Sequence, residues 1–361
     1  MTTSTSSVSI LGTRGIPASH GGFETFAEEL ALFLVRQDVR VTVYCQSETS
    51  YEREWKGVHL VGLVAPPGAG GSVRFDLKSV LHARRDQSVK LILGYNTALF
   101  NLVFALTRQT HYVNMDGIEW RRRKWGRVAK TWFWFNEWIA SKTCSGMIAD
   151  HPAIEAHLRR RPRVRPVTMI PYGSRKLTAE TVAERDAAPH RYALIIARPE
   201  PENSILEMVS AWSTQTRGAR LLVLGTYTRE NDYQCRVLDA ASGEVEFVGP
   251  IYDKDRLDSL RFGASFYMYG HTVGGTSPTL VEALGAGNAI LALDTVFSRW
   301  VAADSAVYFS DVASCSAQIS ALLNDESLLS SLKGNALARF EETFTWDKIL
   351  TAYGKLLGVL P

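Results

Sequence analysis

The sequence predicts an α/β protein made of two doubly wound parallel sheets in tandem. Three observations carry that prediction. Short aliphatic runs alternate with segments of helical period along the chain, the pattern of repeated βαβ units. The alternation stops at the basic stretch Arg161–Arg165 and then resumes, which marks two units. A chain of 361 residues is long for one core and natural for two.

Val8–Gly12 reads as a short apolar strand ending in glycine. After a loop over 13–22, Phe23, Ala27, Leu30 and Leu34 recur at helical spacing. Val39–Cys45, Val58–Val64, Lys90–Leu93, His111–Met115 and Gly146–Ala149 read as strands, with helical material over Asp76–Arg85 and an aromatic-rich helix over Lys130–Thr143. Val167–Ile170 starts the second rhythm and leads into Pro171-Tyr172-Gly173, followed by a polar segment to His190. Tyr192–Ala197, Arg220–Leu224, Val245–Val248, Ala264–Tyr269 and Ala289–Leu293 read as strands. Ser204–Thr214, Asp255–Phe262, Ser314–Asn324, Ser327–Ala338 and Trp346–Leu357 read as helices. The expected domains are 1–168 and 169–345, with a final helix over 346–361 that packs back on the first domain.

Hydrophobic content of 46% with 21% charged residues is an ordinary globular balance. A net charge of +3 does not argue for nucleic acid, and no RNA-recognition motif accompanies the basic runs. Those runs, Arg121–Arg127 and Arg159–Arg165, concentrate positive charge in one region. Cys45, Cys144, Cys235 and Cys315 form no CxxC pair, which argues against a zinc site or a disulfide framework and fits a reducing cytosol. The first seven residues have no basic or apolar run and read as a short disordered lead, not a signal peptide. No stretch is apolar enough to predict a membrane-spanning helix.

The segment His271-Thr-Val-Gly274-Gly275-Thr276-Ser277-Pro278 is a glycine loop feeding a short helix. Ser277 is placed to cap that helix, Pro278 fits its first turn, and Gly287 stands where it should stop. A helix start offers N–H groups and partial positive charge, and Gly274 and Gly275 admit an anion close to the backbone. Glu282 follows one turn further in, a carboxylate behind a phosphate cradle. His271 opens the loop, as a ligand contact or as a hydrogen-bonded loop histidine.

A second glycine loop runs Gly12-Thr-Arg14-Gly15-Ile-Pro and on to Gly21-Gly22-Phe-Glu24. Arg14 and His20 offer donors to phosphate or hydroxyl groups, though the segment also suits a tight structural turn. Its spacing is neither GxGxxG nor a Walker loop. A nicotinamide oxidoreductase is disfavoured accordingly, and Glu48 is poorly placed as the ribose acid. In Ala197-Arg198-Pro-Glu-Pro-Glu-Asn203, Arg198 can hold a diphosphate or be a surface arginine in a proline turn. Asp116 and Glu119 stand at a strand end, where carboxylates orient hydroxyls, take a proton or cap a helix. The tryptophans of Trp132–Trp138 beside the basic run suit either an anionic lipid surface or the core.

These motifs together resemble GT-B-fold glycosyltransferases of family 4 over nearly the whole chain. Gly12-Thr-Arg-Gly-Ile-Pro with Gly21-Gly-Phe-Glu-Thr25, Asp116-Gly-Ile-Glu-Trp120 and His271-Thr-Val-Gly-Gly-Thr-Ser-Pro are similar to a subset containing bacterial rhamnosyltransferases of surface-polysaccharide synthesis. The resemblance implies two Rossmann-like domains facing a cleft, the first for acceptor and the second for a nucleotide sugar. It implies retention of anomeric configuration and no metal or other cofactor, the nucleotide sugar being a substrate. It implies that Arg198 meets the diphosphate, that Glu282 holds the ribose, and that Gly12–Gly15 lies near diphosphate and acceptor. The expected sugar-donor contacts are Gly12, Arg14, Gly15, Arg198, Asn203, Gly274, Gly275, Thr276, Ser277 and Glu282. Arg198, His271 and Asp116 are the expected catalytic residues.

Two departures stand out. Gly274 replaces the first glutamate of the family's paired-glutamate motif, and Asn203 replaces the lysine that usually follows the arginine. The expected reaction is transfer of a hexose or deoxyhexose, best L-rhamnose from its dTDP form. The expected acceptor is a lipid-linked glycan, with peripheral attachment at the inner face of the cell membrane. The alternatives are a UDP- or GDP-sugar as donor, or a catalytically impaired nucleotide-sugar binder.

Overall fold

The computed structural model describes residues 6–18, 21–115, 117–122, 124–182 and 191–361. Contacts divide the chain into two compact units: Met1–Tyr172 together with Trp346–Pro361, and Gly173–Thr345.

The first unit contains β1 (Ser7–Leu11), α1 (Gly22–Val35), β2 (Arg40–Ser47), β3 (Tyr51–Trp55), β4 (Val58–Val64), α2 (Ala69–Ala83), β5 (Val89–Leu93), α3 (Leu102–Leu106), β6 (His111–Met115), α4 (Arg127–Thr143), β7 (Gly146–Ala149), α5 (Pro152–Arg159) and β8 (Val167–Met169). Its eight strands run in the order β3-β4-β2-β1-β5-β6-β7-β8. Only β3 is antiparallel, pairing with β4 at the sheet edge.

The second unit contains β9 (Tyr192–Ile196), α6 (Ile205–Trp212), β10 (Arg220–Leu224), α7 (Asp232–Asp239), β11 (Val245–Gly249), α8 (Lys254–Gly263), β12 (Phe266–Tyr269), α9 (Pro278–Gly285), β13 (Ala289–Leu293), α10 (Val296–Ala302), β14 (Ala306–Phe309), α11 (Val312–Asn324) and α12 (Glu326–Thr343). Its six strands are ordered β11-β10-β9-β12-β13-β14, and every pairing is parallel.

A final helix, α13 (Trp346–Leu356), packs on the first unit. The Tyr353 ring lies 4.6 Å from Phe26 of α1, and the Asn114 amide of β6 donates to the Tyr353 hydroxyl at 2.6 Å. Both sheets are buried on two faces, as parallel sheets must be. Val8, Ile10, Leu91 and Leu93 meet Ala27, Leu30 and Leu34 of α1 in one core. Ala193, Ile195, Leu221 and Val223 meet Met208, Val209 and Trp212 of α6 in another.

The sequence reading differs from the structure in three places. Val167–Met169 does not start the second sheet; it pairs with β7 and closes the first, Val167 standing against Met147. An apolar run declares a strand without declaring its neighbour. The sequence reading does not contain the short elements β3, α3, α5, α7, α10 and β14, since so few residues hold too little of a period to show. The edge strand β3, Tyr-Glu-Arg-Glu-Trp, reads as polar because it is largely exposed. The α2 helix starts at Ala69 rather than near Asp76, its first turn hidden by Gly70 and Gly71.

Each sheet has one topological switch point. In the first unit the chain winds out through β2 and β4, then returns to lay β5 beside β1. In the second it winds out through β10 and β11, then returns to lay β12 beside β9. Loops leaving the strands at such a point part in opposite directions and open a crevice at the strand carboxyl ends.

Candidate functional site

The switch point of the second unit brings together the two segments that carry most of the predicted chemistry. The loop after β9 holds Arg198 and Asn203; the loop after β12 holds His271 and Gly274–Ser277. They are stitched to each other, because the Thr272 N–H and hydroxyl both donate to the Glu202 carbonyl, at 2.9 and 3.0 Å. Gly270 permits this approach: a Cβ there would lie 2.4 Å from the Asn203 carbonyl oxygen. The Arg198 side chain is exposed and the His271 ring stacks on Tyr269 at 4.7 Å.

Asn203 does not belong with the residues that face a ligand. It is 4% exposed, and its amide donates to the Arg198 carbonyl at 2.7 Å. The Glu200 N–H donates to the same oxygen, also at 2.7 Å, so both bonds fold the loop beneath Arg198.

Ser277 occupies the N-cap position of α9 with Pro278 in the first turn, as the sequence suggested. Its hydroxyl makes no capping bond, however; it pairs with the Thr279 hydroxyl at 3.2 Å. The first-turn N–H groups of α9 therefore carry no side-chain cap, and they form the positive end of the helix dipole. Gly274 has φ +147° and a Cβ there would meet nothing within 4 Å, so conformation rather than crowding selects glycine. At the other end Gly287, φ +71°, closes the helix: its N–H donates to Leu284 O and the Asn288 N–H to Ala283 O, a Schellman motif.

Glu282 is held by Arg261 of α8. Arg261 is buried and also contacts Asp258 at 3.5 Å, which in turn pairs with Arg175. Burial pushes the Glu282 carboxyl up while Arg261 opposes it. Only Oε2 is engaged; Oε1 carries no hydrogen bond among the described residues. Sequence reading found neither Arg261 nor Asp258, because this contact spans 21 positions and leaves no local pattern.

The loop after β1 is arranged differently. Gly12, φ +82°, lets the end of β1 pass the end of β5, where a Cβ would stand 2.2 Å from Leu93 O. Gly15 sits against Cys45, whose sulfur would be 2.6 Å from an added Cβ. The backbone donors are used internally: Arg14 N–H on Glu24 at 3.2 Å, Gly15 N–H on Thr13 Oγ1 at 3.4 Å, Ala18 N–H on Glu28 at 2.5 Å. The expected backbone contact of Gly12–Gly15 with a diphosphate loses these donors, and the exposed Arg14 side chain is what the loop offers to solvent. Asp116 and His20 lie outside the described residues. Glu119 is engaged on both oxygens, by Trp125 Nε1 and Arg122 Nε, each at 3.0 Å.

The α4 helix buries Asn136 and Glu137 and turns aromatics outward. Trp134, Phe135 and Trp138 are 44, 39 and 42% exposed, so a core-facing aromatic helix is not what forms. Glu137 is fully buried and accepts from Trp120 Nε1 at 2.6 Å, His157 Nε2 at 2.8 Å and Arg161 Nε at 2.8 Å. The Arg161 guanidinium also lies over the Trp134 ring, 5.5 Å from its centroid. No helix among the described residues is long and apolar enough to cross a membrane.

Residues 5–175 match the model of a family described as a domain of unknown function, DUF1972. No curated protein matches the chain in sequence. Three solved structures illustrate what it is similar to in fold. Sucrose-phosphate synthase from Thermosynechococcus elongatus is 16% identical, with a TM-score of 0.81 over 97% of this chain and 98% of that one. Anabaena HepE in complex with UDP is 14% identical, with a TM-score of 0.73 over 99% and 100%. An α,α-trehalose-phosphate synthase (UDP-forming) from Burkholderia vietnamiensis is 9% identical, with a TM-score of 0.76 over 99% and 100%. Two parallel α/β sheets with these neighbours define a protein of the GT-B fold.

Proposed function

We propose that this protein is a glycosyltransferase that binds a nucleotide-sugar donor on its second unit. One observation carries the reading: the Arg198 loop and the His271–Ser277 loop are bonded together at the switch point, beside the uncapped start of α9. The structural neighbours support it, since HepE is described in complexes with UDP and with UDP-glucose.

In this reading the guanidinium of Arg198 and the N–H groups of α9 stabilise the departing diphosphate, supplying the charge that a metal would otherwise bring. Glu282 Oε1 accepts from the ribose, with Arg261 fixing the carboxylate. His271 orients the donor sugar, and Asp116 the acceptor. Same-face attack, with the leaving phosphate taking the acceptor proton, needs no side-chain base at position 274 and retains the anomeric configuration. An inverted linkage in the product, read by NMR, contradicts that route.

The sugar we propose is L-rhamnose from dTDP-L-rhamnose, passed to a lipid-linked glycan in surface-polysaccharide synthesis. The motif resemblance supports the sugar. The exposed aromatics of α4, beside Arg127 and Lys130, support peripheral attachment at the inner face of the cell membrane. A panel of dTDP-, UDP- and GDP-sugars, scored by thermal shift and by donor hydrolysis, tests both donor and activity. No shift with any nucleotide sugar overturns the proposal. A second reading, a binder without transfer, is favoured by Asn203 standing where a lysine is usual; a thermal shift with neither hydrolysis nor transfer would select it.

A further inference from the structure

The outward side of α2 carries a row of apolar residues that the first unit leaves uncovered. Val73, Leu77 and Leu81 recur every fourth residue and are 39, 38 and 40% exposed, while Phe75, Ser79, Val80 and Ala83 turn inward. Single exposed apolar side chains are ordinary, but three in register along one helix make a continuous stripe. Beside the stripe stand Arg74 and Lys78, with Arg85 just past the helix end, all exposed. Lys78 donates to the Val64 carbonyl at 2.7 Å, and Arg74 and Arg85 are in no ion pair among the described residues. The carboxylates nearby are engaged elsewhere: Asp76 accepts from the Thr97 hydroxyl at 2.8 Å, Asp86 from Lys90 at 2.6 Å, and Glu52 lies 3.4 Å from His59. What α2 turns outward is therefore apolar and cationic.

The same face of the sheet carries α4. The crossovers from β4 to β5 and from β6 to β7 run the same way across the sheet, and right-handed crossovers then put both helices on one side of it. The crossover from β1 to β2 runs the other way, which puts α1 on the opposite side. The loop between β5 and α3 joins α2 to α4. Its Thr97 is bonded to Asp76 of α2, its Asn96 carbonyl accepts from Trp132 Nε1 of α4 at 2.8 Å, and its Leu99 N–H donates to Asn136 Oδ1 of α4 at 2.9 Å. The exposed row of Trp132, Phe135 and Trp138 and the α2 stripe thus belong to one continuous surface.

We propose that α2 is a second contact with an anionic phospholipid leaflet, so that the first unit lies against the membrane on this face of its sheet. Val73, Leu77 and Leu81 enter the boundary between headgroups and acyl chains alongside the aromatics of α4, and Arg74 and Arg85 pair with lipid phosphates. The inference rests on the peripheral attachment proposed for α4 and adds what fixes orientation: a unit held by one helix can turn about it, and one held by two helices cannot. A second copy of this chain is disfavoured as the occupant, because a two-fold contact would bring the cationic rows of both copies into one interface.

The test uses the full chain with vesicles of phosphatidylcholine, alone or with phosphatidylglycerol added. Leu77→Ser combined with Leu81→Ser is expected to weaken binding to the anionic vesicles by about tenfold. Arg74→Gln and Arg85→Gln are each expected to weaken it by about fivefold and to change nothing on neutral vesicles. All four positions are exposed, so the variants should melt like the parent. Val296→Ser, at an exposed apolar position on α10 of the second unit, is the control. An environment-sensitive fluorophore on Leu77→Cys, in a Cys235→Ser background, is expected to shift to the blue when anionic vesicles are added; the other three cysteines are buried. Parent protein that does not bind anionic vesicles overturns the α4 attachment and this inference together. Where the parent binds and Trp138→Ser weakens it, α2 variants that bind like Val296→Ser, or a fluorophore that stays in water, overturn the α2 contact alone. Parent protein that sediments as a dimer without lipid, and as a monomer once Leu77 and Leu81 are replaced, assigns the stripe to a second copy and also overturns it.

Discussion

The buried amide of Asn203 donates to the carbonyl of Arg198 at 2.7 Å, so the residue at which the motif resemblance leads one to expect a cation shapes the arginine's own loop. The proposed diphosphate site then rests on Arg198 and the α9 start, with Asn203 holding them in place. Asn203→Ala is expected to cost about 0.5–1.5 kcal/mol by removing one of the two donors on the Arg198 carbonyl. Asn203→Lys is expected to cost at least as much and to give no tighter donor binding. Denaturant melts with donor titrations check this; unchanged stability with tighter binding would return position 203 to the ligand site.

Arg198 itself is exposed, so its removal leaves the fold untouched. Arg198→Ala is expected to lower turnover by at least ~100-fold, the usual effect of deleting one donor to developing negative charge. Near-normal turnover in a variant that melts like the parent would remove Arg198 from the mechanism.

Glu137 ties α4 to α5 and to the turn around Trp120. Burial alone would raise its pKa, but bonds from His157, Arg161 and Trp120 outweigh that and hold it below its ordinary 4.5. Its stabilising effect is therefore present above pH 4.5 and is lost as pH falls toward the depressed value. Glu137→Ala is expected to cost about 3–5 kcal/mol at neutral pH, because it strands a buried cation. The gap between variant and parent should narrow in acid; a gap that is small at neutral pH contradicts the assigned role.

Asp76 works in the opposite sense. Burial lifts its carboxyl from 3.8 to about 6, despite the Thr97 hydroxyl donating at 2.8 Å. The protonated form favours the fold, so stability is full below pH 3.8 and declines as pH rises through about 6. Asp76→Asn is expected to match the parent near pH 4 and to exceed it by about 1–3 kcal/mol at pH 8. Thermal melts across that range decide it, and a difference that does not change with pH rejects the shift.

The outward face of α4 should govern attachment to anionic vesicles. Each of Trp134→Ser and Trp138→Ser is expected to weaken flotation by ~2 kcal/mol, roughly 30-fold, while binding falls further with salt. Parent protein that fails to float with anionic lipid even at low salt would leave these aromatics without a membrane role.

Much of the fold is legible in the residues. The spacing of Phe23, Ala27, Leu30 and Leu34 announces α1, and the run Ala289–Leu293 announces β13. What each element lies beside is not legible, as Val167–Met169 shows: its residues say strand, and only pairing with β7 says which sheet. The glycine loops teach the same lesson about the site. Gly12–Gly15 and Gly274–Ser277 look alike in sequence, yet Glu24 and the Thr13 hydroxyl occupy N–H groups of the first while α9 starts uncapped.

The sequence by itself determined the alternation of strands and helices, the two units, the loops that carry Arg198 and His271 and the helix that carries Glu282, because period and glycine placement are local properties of the chain. Tertiary structure decided the rest. It set Asn203 beneath Arg198, bonded Thr272 to Glu202, paired Glu282 with Arg261 and turned the α4 aromatics outward. Each of these outcomes depends on which distant groups compete for a donor, a charge or a buried surface, and that competition is settled only when the chain is folded.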